Sequence, residues 1–329
     1  MTIAVLGPGG VGGLVAGALD RAGIPTVVVA REQTAALIAE RGLRVSSVRL
    51  GDFVAHPRAV ARLEEPVEVL VVASKATGLG EALERIAAPP ALECVSPPPT
   101  PADTTAPPPL ERAGARPALV LPLLNGLDHL PLLRERFGEG TVVAGTIRVE
   151  ADRPEPGVVV HTSPFLRIDM ASHDPGMRPA METLAATLEG VGIPARVRDS
   201  EAQVMWGKLV RLNALACTTS AYDKLLGEIL STPELRGELE GAIAEGCAVA
   251  AAEGASIDTG DPLGELSAAH PTLGSSMQRD IAAGRTPELD AIPGAVLRAG
   301  ARHGIPCPTI ERLVATIAAR AGVPAPVAR

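Results

Sequence analysis

The sequence is poor in cysteine, and its few cysteines are not grouped. Cys94, Cys217, Cys247 and Cys307 lie far apart, with no CxxC pair and no neighbouring histidine partner. Structural zinc sites and disulfide frameworks depend on closely spaced ligands or paired cysteines. The spacing therefore argues against both, we expect no metal, and a reduced, cytoplasmic protein fits.

Clusters of positive charge and long apolar runs are also lacking. The 30 lysines and arginines are scattered and the net charge is −8, which argues against nucleic acid or an anionic membrane as partner. No uncharged apolar stretch reaches membrane-spanning length, and the first residues are strand-like rather than a charged leader. Aromatic residues make up only 2%, to which we attach no function. We expect a soluble protein that binds a small molecule.

The length predicts two domains. A chain of 329 residues, 46% hydrophobic, is larger than one hydrophobic core usually supports. The patterns change from alternating strands and helices to helices alone near residue 200. We therefore predict an α/β protein with a Rossmann-like dinucleotide-binding domain over residues 1–199 and an all-helical domain over residues 200–329, with a cleft between them.

The first thirty residues carry the most informative pattern. A short aliphatic strand leads into Gly7, Gly9 and Gly12, which have the G-x-G-x-x-G spacing, and a helix and a second strand follow. In such a unit the first glycine allows the turn, the second lets the backbone approach a pyrophosphate, and the third lets helix and strand pack closely. We expect these glycines and Gly10 to bind a dinucleotide, although glycine spacing alone also occurs in ordinary tight turns.

The residue that follows the second strand indicates which dinucleotide binds. Arg31 comes first after "VVVA", and Glu32 is next. An arginine here suits the 2′-phosphate of NADP, whereas an acid accepts a hydrogen bond from the 2′-hydroxyl of NAD. The order favours NADP, Glu32 leaves NAD open, and Arg31 is otherwise an ordinary solvated charge.

Two further apolar strands end in polar side chains. Residues 67–76 end near Lys75, and residues 118–127 end at Asn125 and Gly126. Ligands of doubly wound sheets lie beyond such carboxyl ends, so Lys75 can reach the cofactor or an anionic substrate. The Asn125 amide, which both donates and accepts, suits orienting a carboxamide or a neighbouring side chain. A solvated lysine and a simple Asn-Gly turn are the alternatives.

A proline-rich segment separates these two strands. Ten of its 29 residues, 89–117, are proline, which neither a helix nor a central strand tolerates. We predict an extended surface loop without chemistry, and a docking segment is the alternative.

One lysine stands out in the C-terminal half. Asp199 or Ser200 is suited to begin a helix that runs through "MWGKLVRLNALACTTSAY", in which Lys208 and Arg211 are the only charges. A lysine in a cleft can donate a proton to an oxygen that becomes negatively charged, and desolvation lowers its pKa toward a useful value. On the helix alone, Lys208 could equally well extend along the surface into water.

Taken together, these residues resemble the ketopantoate reductases (2-dehydropantoate 2-reductases). The resemblance implies that NADPH delivers a hydride to the substrate's keto carbon while Lys208 gives a proton to its oxygen. It rests on seven pieces in order along nearly the whole chain: "GPGGVGG", Arg31, "SKAT" with Lys75, "LNG" with Asn125, "WGKL" with Lys208, "SSMQRD" and "PELDAIPG".

The resemblance also implies roles for the other pieces. Glu288 would support the hydroxyl side of the substrate, Ser276 and Asn213 would help to hold it, and Asn125 and Lys75 would position the nicotinamide and the lysine. A solvated loop acid and a helix cap are the alternatives for Glu288 and Ser276.

The chain departs from the family pattern at its substrate-facing amides. The asparagine expected four residues after the catalytic lysine is Leu212, and Asn213 comes one residue later, which turns it by about 140° rather than 40° from that lysine. Two more expected asparagines correspond to Cys217 and Leu226, and an expected glutamine corresponds to Gly78. Reductase chemistry is therefore better supported than the substrate.

Three functions follow from the sequence. The first is NADPH-dependent reduction of ketopantoate, the second is the same chemistry on another keto or hydroxy acid, and the third is a non-catalytic NADP-binding redox sensor or scaffold. An exposed helical face in the C-terminal half is compatible with a homodimer and equally with a solvated surface.

Overall fold

A computed structural model describes residues 1–87 and 117–327. The proline-rich segment predicted as a surface loop lies outside the described residues, apart from its last residue, Pro117. Within the described ranges the strands are β1 Ile3–Leu6, β2 Thr26–Val29, β3 Leu43–Ser47, β4 Phe53–Ala55, β5 Arg58–Val60, β6 Val69–Val72, β7 Leu119–Pro122, β8 Ala144–Arg148, β9 Ala151–Asp152, β10 Val158–His161, β11 Arg167–Ala171 and β12 Ala195–Val197.

The helices complete the element order. They are α1 Gly10–Arg21, α2 Glu32–Arg41, α3 Leu79–Leu83, α4 His129–Phe137, α5 Arg178–Gly190, α6 Glu201–Tyr222, α7 Leu226–Ser231, α8 Pro233–Ala252, α9 Gly260–Ser267, α10 Ser276–Ala282, α11 Ala295–Arg302 and α12 Pro308–Ala321. A π-helix, Asp290–Gly294, precedes α11.

A parallel five-stranded sheet forms the centre of the N-terminal part. Its order is β5-β2-β1-β6-β7, and every residue of β1, β2, β6 and β7 is buried. Strands buried on both faces read as continuous aliphatic runs, which is why the sequence predicts them. The order reverses between β1 and β6, the position at which ligands bind in doubly wound sheets. The predicted Rossmann-like fold is confirmed.

Two smaller sheets extend this part of the molecule. One has the order β4-β3-β10-β9 and the other β12-β11-β8. In these sheets β9 pairs antiparallel with β10, and β8 pairs antiparallel with β11.

The C-terminal part is helical, as predicted, and α6 is its longest element. Ser200 begins α6, because its hydroxyl accepts a hydrogen bond from the backbone N–H of Gln203 at 3.2 Å. Val204 and Met205, in the first turn, pack into the core of the N-terminal part, whereas Trp206 and Leu209 pack into the helical core. One helix is thus anchored in both cores.

Among the helices of residues 1–87 and 117–327, none combines the length and apolar character that crossing a membrane requires.

Candidate active site

A cleft of about 670 Å³ lies at the carboxyl ends of the central strands. The glycine turn before α1 and the residues after β2, β6, β7 and β8 form one wall. The opposite wall consists of one face of α6, the start of α10 and Glu288. The two predicted functional halves of the chain therefore meet in one cavity.

The glycine turn has the geometry of a phosphate cradle. A Cβ atom on Gly12 would stand 2.1 Å from the carbonyl oxygen of Gly7, so only glycine lets α1 approach the turn this closely. At Gly9, by contrast, a Cβ would meet nothing within 4 Å, which leaves the backbone open to the cleft. Gly10 packs against β9, where a Cβ would stand 2.3 Å from the carbonyl oxygen of Ala151. The space at Gly9 fits a pyrophosphate.

The start of α1 supplies the donors for such a phosphate. The N–H of Gly13 is bonded to the carbonyl of Gly9 at 2.8 Å, so the preceding N–H groups of Gly10, Val11 and Gly12 have no acceptor within the helix. Gly10 and Val11 line the cleft. A helix start with free N–H groups favours an anion.

Arg31 lies at the cleft mouth, directly after β2. Its guanidinium forms an exposed ion pair with Glu81 at 3.0 Å, and Arg85 contacts the same carboxylate at 3.3 Å. Arg31 and Arg85 line the cleft, whereas Glu32 does not and lies in a neighbouring pocket that Arg85 and Glu81 also line. Two guanidinium groups, and not Glu32, therefore line this end of the cleft.

A continuous hydrogen-bonded chain links Lys208 to both halves of the molecule. Lys208 Nζ donates to Asn125 Oδ1 at 2.9 Å, Asn125 Nδ2 donates to Glu288 Oε2 at 3.0 Å, and the backbone N–H of Ala76 donates to Glu288 Oε1 at 3.3 Å. The asparagine amide is suited to this place because it accepts from a cation on one side and donates to an anion on the other.

The environment of Lys208 favours the loss of its proton. Only 9% of the residue is exposed. Burial lowers the pKa of Lys208 to about 8, and the positive charges of Arg211 and Arg148 act in the same direction, while the charge of Glu288 opposes them. The structure thus places the lysine in the cleft, not at a solvated helix edge.

The turn after β7 brings Asn125 to Glu288. Gly126 has φ +83°, and a Cβ there would stand 2.0 Å from the carbonyl oxygen of Ala291 in the π-helix. Only glycine permits this approach. π-helices are rare and frequently lie at functional sites, and this one begins two residues after Glu288.

Lys75 and Ser276 also line the cleft. Lys75 Nζ lies 2.7 Å from Asp280 Oδ2, and Arg285 Nε lies 2.8 Å from the other oxygen of Asp280. Ser276 is the exposed first residue of α10, and the cap is its neighbour Ser275, whose hydroxyl accepts from Gln278 N at 3.1 Å. Lys75 therefore joins the end of β6 to α10 across the cleft.

The structure does not bring Asn213 to the cleft. Its side chain is fully buried, accepts a hydrogen bond from Cys217 Sγ at 3.4 Å, and leaves Nδ2 without a partner among the described residues. Helix α6 is regular here, so five residues after Lys208 the chain has turned away from the cleft. Leu212 lines the cleft in its place, which corrects the expectation that Asn213 holds the substrate.

Two arginines of the cleft were not singled out by the sequence. Arg148 ends β8, Arg211 follows Lys208 by three residues, and both lie close to Glu265. The signal for Arg211 was present in the sequence, since a residue three positions after Lys208 shares its helix face.

His129 is a buried residue near Lys208. Burial is the main cause that lowers the pKa of His129 to about 4, and the positive charge of Lys208 acts in the same direction.

Comparison with known families covers nearly all of the chain. Residues 3–94 and 100–174 match the model described as "Ketopantoate reductase PanE/ApbA", and residues 202–321 match "Ketopantoate reductase PanE/ApbA C terminal".

Individual relatives agree with this match. The 2-dehydropantoate 2-reductase of Mycobacterium tuberculosis is 28% identical, over 98% of each chain. The crystal structure of 2-dehydropantoate 2-reductase from Geobacter metallireducens aligns with a TM-score of 0.80 at 26% identity, over 96% of this chain and 99% of that one. A D-mandelate dehydrogenase with NADH and anilino(oxo)acetate aligns with a TM-score of 0.82 over 98% and 99%, and at 20% identity this likeness shows the fold alone.

Proposed function

The chain belongs to the ketopantoate reductase family, an oxidoreductase family, and on that premise we propose that it reduces a small 2-keto acid to the 2-hydroxy acid with NADPH. Ketopantoate is the first candidate substrate. The observation that carries the proposal is the chain of hydrogen bonds from Glu288 through Asn125 to Lys208, within the cleft that the glycine turn also lines.

The chemistry assigns one role to each member of this chain. The reduced nicotinamide, when bound, supplies the hydride to the keto carbon. As the C=O π electrons move to oxygen, the Lys208 ammonium gives that oxygen a proton and stabilises its developing charge. Asn125 keeps Nζ in place, and Glu288 holds Asn125 and favours the protonated lysine. Neutral Lys208 then regains a proton from water.

The cleft supports NADP over NAD. Arg31 and Arg85 line its mouth, and a 2′-phosphate would take the place of Glu81 as partner of these guanidinium groups. The free N–H groups at the start of α1 would hold the pyrophosphate, with Gly9 allowing its approach. Lys75 and Ser276 would contact the nicotinamide end and the substrate. On this assignment residues 1–199 bind the cofactor, and residues 200–329 contribute the acid and the substrate wall.

A second candidate keeps the chemistry and changes the substrate. Leu212 lines the cleft where the family pattern has an amide, and Leu215, one turn further along α6, lines it too. Apolar side chains cannot satisfy the hydroxyl of ketopantoate, and an unpaired polar group in a closed site is costly. The matched probe is 3,3-dimethyl-2-oxobutanoate, which is ketopantoate without its hydroxyl.

Steady-state oxidation of NADPH with both acids tests these candidates. If ketopantoate is the better substrate, the first candidate function is supported. If 3,3-dimethyl-2-oxobutanoate, which lacks the hydroxyl, is the better substrate, the second is supported. Tight NADPH binding with no turnover on either acid, or on a wider panel of 2-keto acids, would instead favour the non-catalytic sensor or scaffold. The contact of Lys208 with Asn125 opposes that reading, since a sensor needs no proton donor.

A further inference from the structure

One face of α6 presents four residues to the cleft, two cationic side chains followed by two apolar ones. Lys208, Arg211, Leu212 and Leu215 follow the i, i+3, i+4, i+7 spacing of a single helical stripe, and all four line the cavity. The stripe thus begins with an ammonium, continues with a guanidinium and ends in two leucines. Arg211 lies three residues, a rise of about 4.5 Å, beyond Lys208 along the helix axis.

A second guanidinium lies beside this stripe. Arg148 Nη2 donates to the carbonyl oxygen of Gly207 at 3.2 Å, next to Lys208, and its Nη1 donates to Glu265 at 2.6 Å. Arg211 Nε lies 3.2 Å from the same Glu265 oxygen, without the direction of a hydrogen bond. Two guanidinium groups therefore share one carboxylate.

The positive charge of Arg211 is poorly compensated. Its side chain is only 16% exposed, and its buried Nε has no hydrogen-bond acceptor among the described residues. Burial lowers the pKa of Arg211, and repulsion by Arg148 exceeds the attraction of Glu265. Glu150 and Arg167 act more weakly and with opposite signs. A largely buried cation without a full partner is costly, unless a ligand supplies the anion.

From this arrangement we propose that Arg211, supported by Arg148, binds the carboxylate of the 2-keto acid. The proposal rests on the proposed function and adds the residues that select an acid. In a 2-keto acid the carboxylate is bonded directly to the keto carbon, so its site must adjoin the group that protonates the keto oxygen. Arg211 is the cation of α6 that adjoins Lys208, and its planar fork matches a carboxylate in two hydrogen bonds. The rest of the substrate then lies along Leu212 and Leu215.

The test compares an acid with its neutral counterpart. The best 2-keto acid substrate and its primary amide are each assayed with wild type and Arg211→Gln. For the variant, kcat/KM with the acid falls about 10- to 100-fold, mainly through KM, and kcat/KM with the amide changes by less than about threefold. Arg211→Lys, which keeps the charge but not the fork, recovers part of the loss. Equal losses for acid and amide would overturn the proposal.

Glu265→Gln separates this role from a structural one. Removing the shared carboxylate frees both guanidinium groups, so KM for the acid decreases if they bind it. If Arg211 merely holds α9 through Glu265, the same variant raises KM for acid and amide alike, and the proposal fails. Arg302→Gln is the matched control, because Arg302 and His303 also share one carboxylate, that of Glu253, outside the cleft residues. Arg302→Gln is expected to leave KM for both the acid and the amide unchanged.

A binding measurement makes the result independent of turnover. Calorimetry follows a 2-hydroxy acid and its amide binding to the protein saturated with NADP⁺. Wild type binds the acid more tightly than the amide, and Arg211→Gln loses this preference while its affinity for NADP⁺ is unchanged. Selective acid binding without reduction of any keto acid would refute the proposed function and leave this site standing. No acid preference in wild type would refute the site. If Arg211→Gln does not fold, Arg148→Gln is tested in the same way.

Discussion

Lys208 Nζ lies 2.9 Å from Asn125 Oδ1, although the two residues come from opposite halves of the chain. The bond fixes a buried ammonium at the carboxyl end of β7, in the cleft that the glycine turn also lines. The acid of the proposed reaction is thus held by the part of the molecule that would bind the cofactor.

Lys208→Ala tests the role of this amine. A positioned general acid typically contributes about 100- to 10,000-fold, so we expect kcat for keto-acid reduction to fall by that order, with the affinity for NADPH retained. The measurement is NADPH oxidation together with NADPH binding by fluorescence. Lys224→Ala, which removes an exposed lysine paired with Glu228, is the control and keeps full activity. Substantial turnover by Lys208→Ala would exclude this lysine as the acid.

The pH profile reports the same group. The pKa of Lys208 is lowered to about 8, and the protonated form is required for reduction, so kcat/KM falls as the pH rises above this value. Since the charge of Glu288 raises this pKa, Glu288→Gln moves the descending limb to lower pH. Profiles of kcat/KM for wild type and variant decide the matter. If the descending limb of the kcat/KM profile lies at the same pH in Glu288→Gln as in wild type, the charges of Lys208 and Glu288 are not coupled.

The buried lysine also costs stability. The pKa of Lys208 falls from 10.5 to about 8 on folding, so the unfolded chain binds more protons between these values, and stability rises with pH across this window. At pH 7 the full penalty is present, and Lys208→Met should raise the free energy of unfolding by an amount on the order of 3 kcal/mol. Urea unfolding at pH 7 and at pH 9.5 checks this, with a smaller gain at the higher pH.

Lys224→Met gives the baseline for this measurement, since that lysine is exposed and should yield no comparable gain. A loss of stability in Lys208→Met would show that the hydrogen bond to Asn125 outweighs desolvation.

Gly126→Ala tests the close approach that brings Asn125 to Glu288. Gly23 is the matched control, because it has a similar positive φ of +76° but an open surrounding, whereas a Cβ on Gly126 would stand 2.0 Å from a carbonyl oxygen. Gly126→Ala should therefore lose at least about 2 kcal/mol more free energy of unfolding than Gly23→Ala. We also expect a lower kcat only for Gly126→Ala. Equal effects would mean that the contact with the π-helix is not tight.

Arg31→Ala tests the cofactor preference. Loss of charge-assisted hydrogen bonds to the 2′-phosphate should weaken NADP⁺ binding about 10- to 100-fold and change NAD⁺ binding by less than about threefold. Thermal stabilisation by each dinucleotide measures this, since a ligand of the folded state raises Tm according to its affinity. The control is Arg196→Ala, at an exposed position of β12, which should leave the binding of NADP⁺ and of NAD⁺ unchanged. Equal weakening of both dinucleotides would place Arg31 away from the 2′-position.

Much of the fold follows from patterns that are local in sequence. Most of the central strands are continuous aliphatic runs, and α6 begins at Ser200, one of the two caps that the sequence suggests, because a cap and an apolar period can both be recognised within a few residues. Strands such as β4 and β12, three residues each, are too short to show such a period, and only their partners in space define them.

The candidate site was predictable where the family resemblance supplied a role. The candidate site was less predictable where the chain departs from the family pattern. A helical rotation of about 140° already indicated that Asn213 would not face the same way as Lys208, and the regular helix leaves it in the core. Arg211 shares the face of Lys208, but its importance depends on Arg148 and Glu265, which only the fold brings together.

The anchoring of α6 in both cores has a kinetic consequence. Val204 and Met205 are fixed in the N-terminal core, and Lys208 follows less than one turn later. Because α6 is a regular helix, this anchor also fixes the position of its following turns relative to the N-terminal part. Whatever motion would admit a keto acid in the proposed reaction, Lys208 would stay in register with the proposed dinucleotide site, and only the more distant walls would have to part.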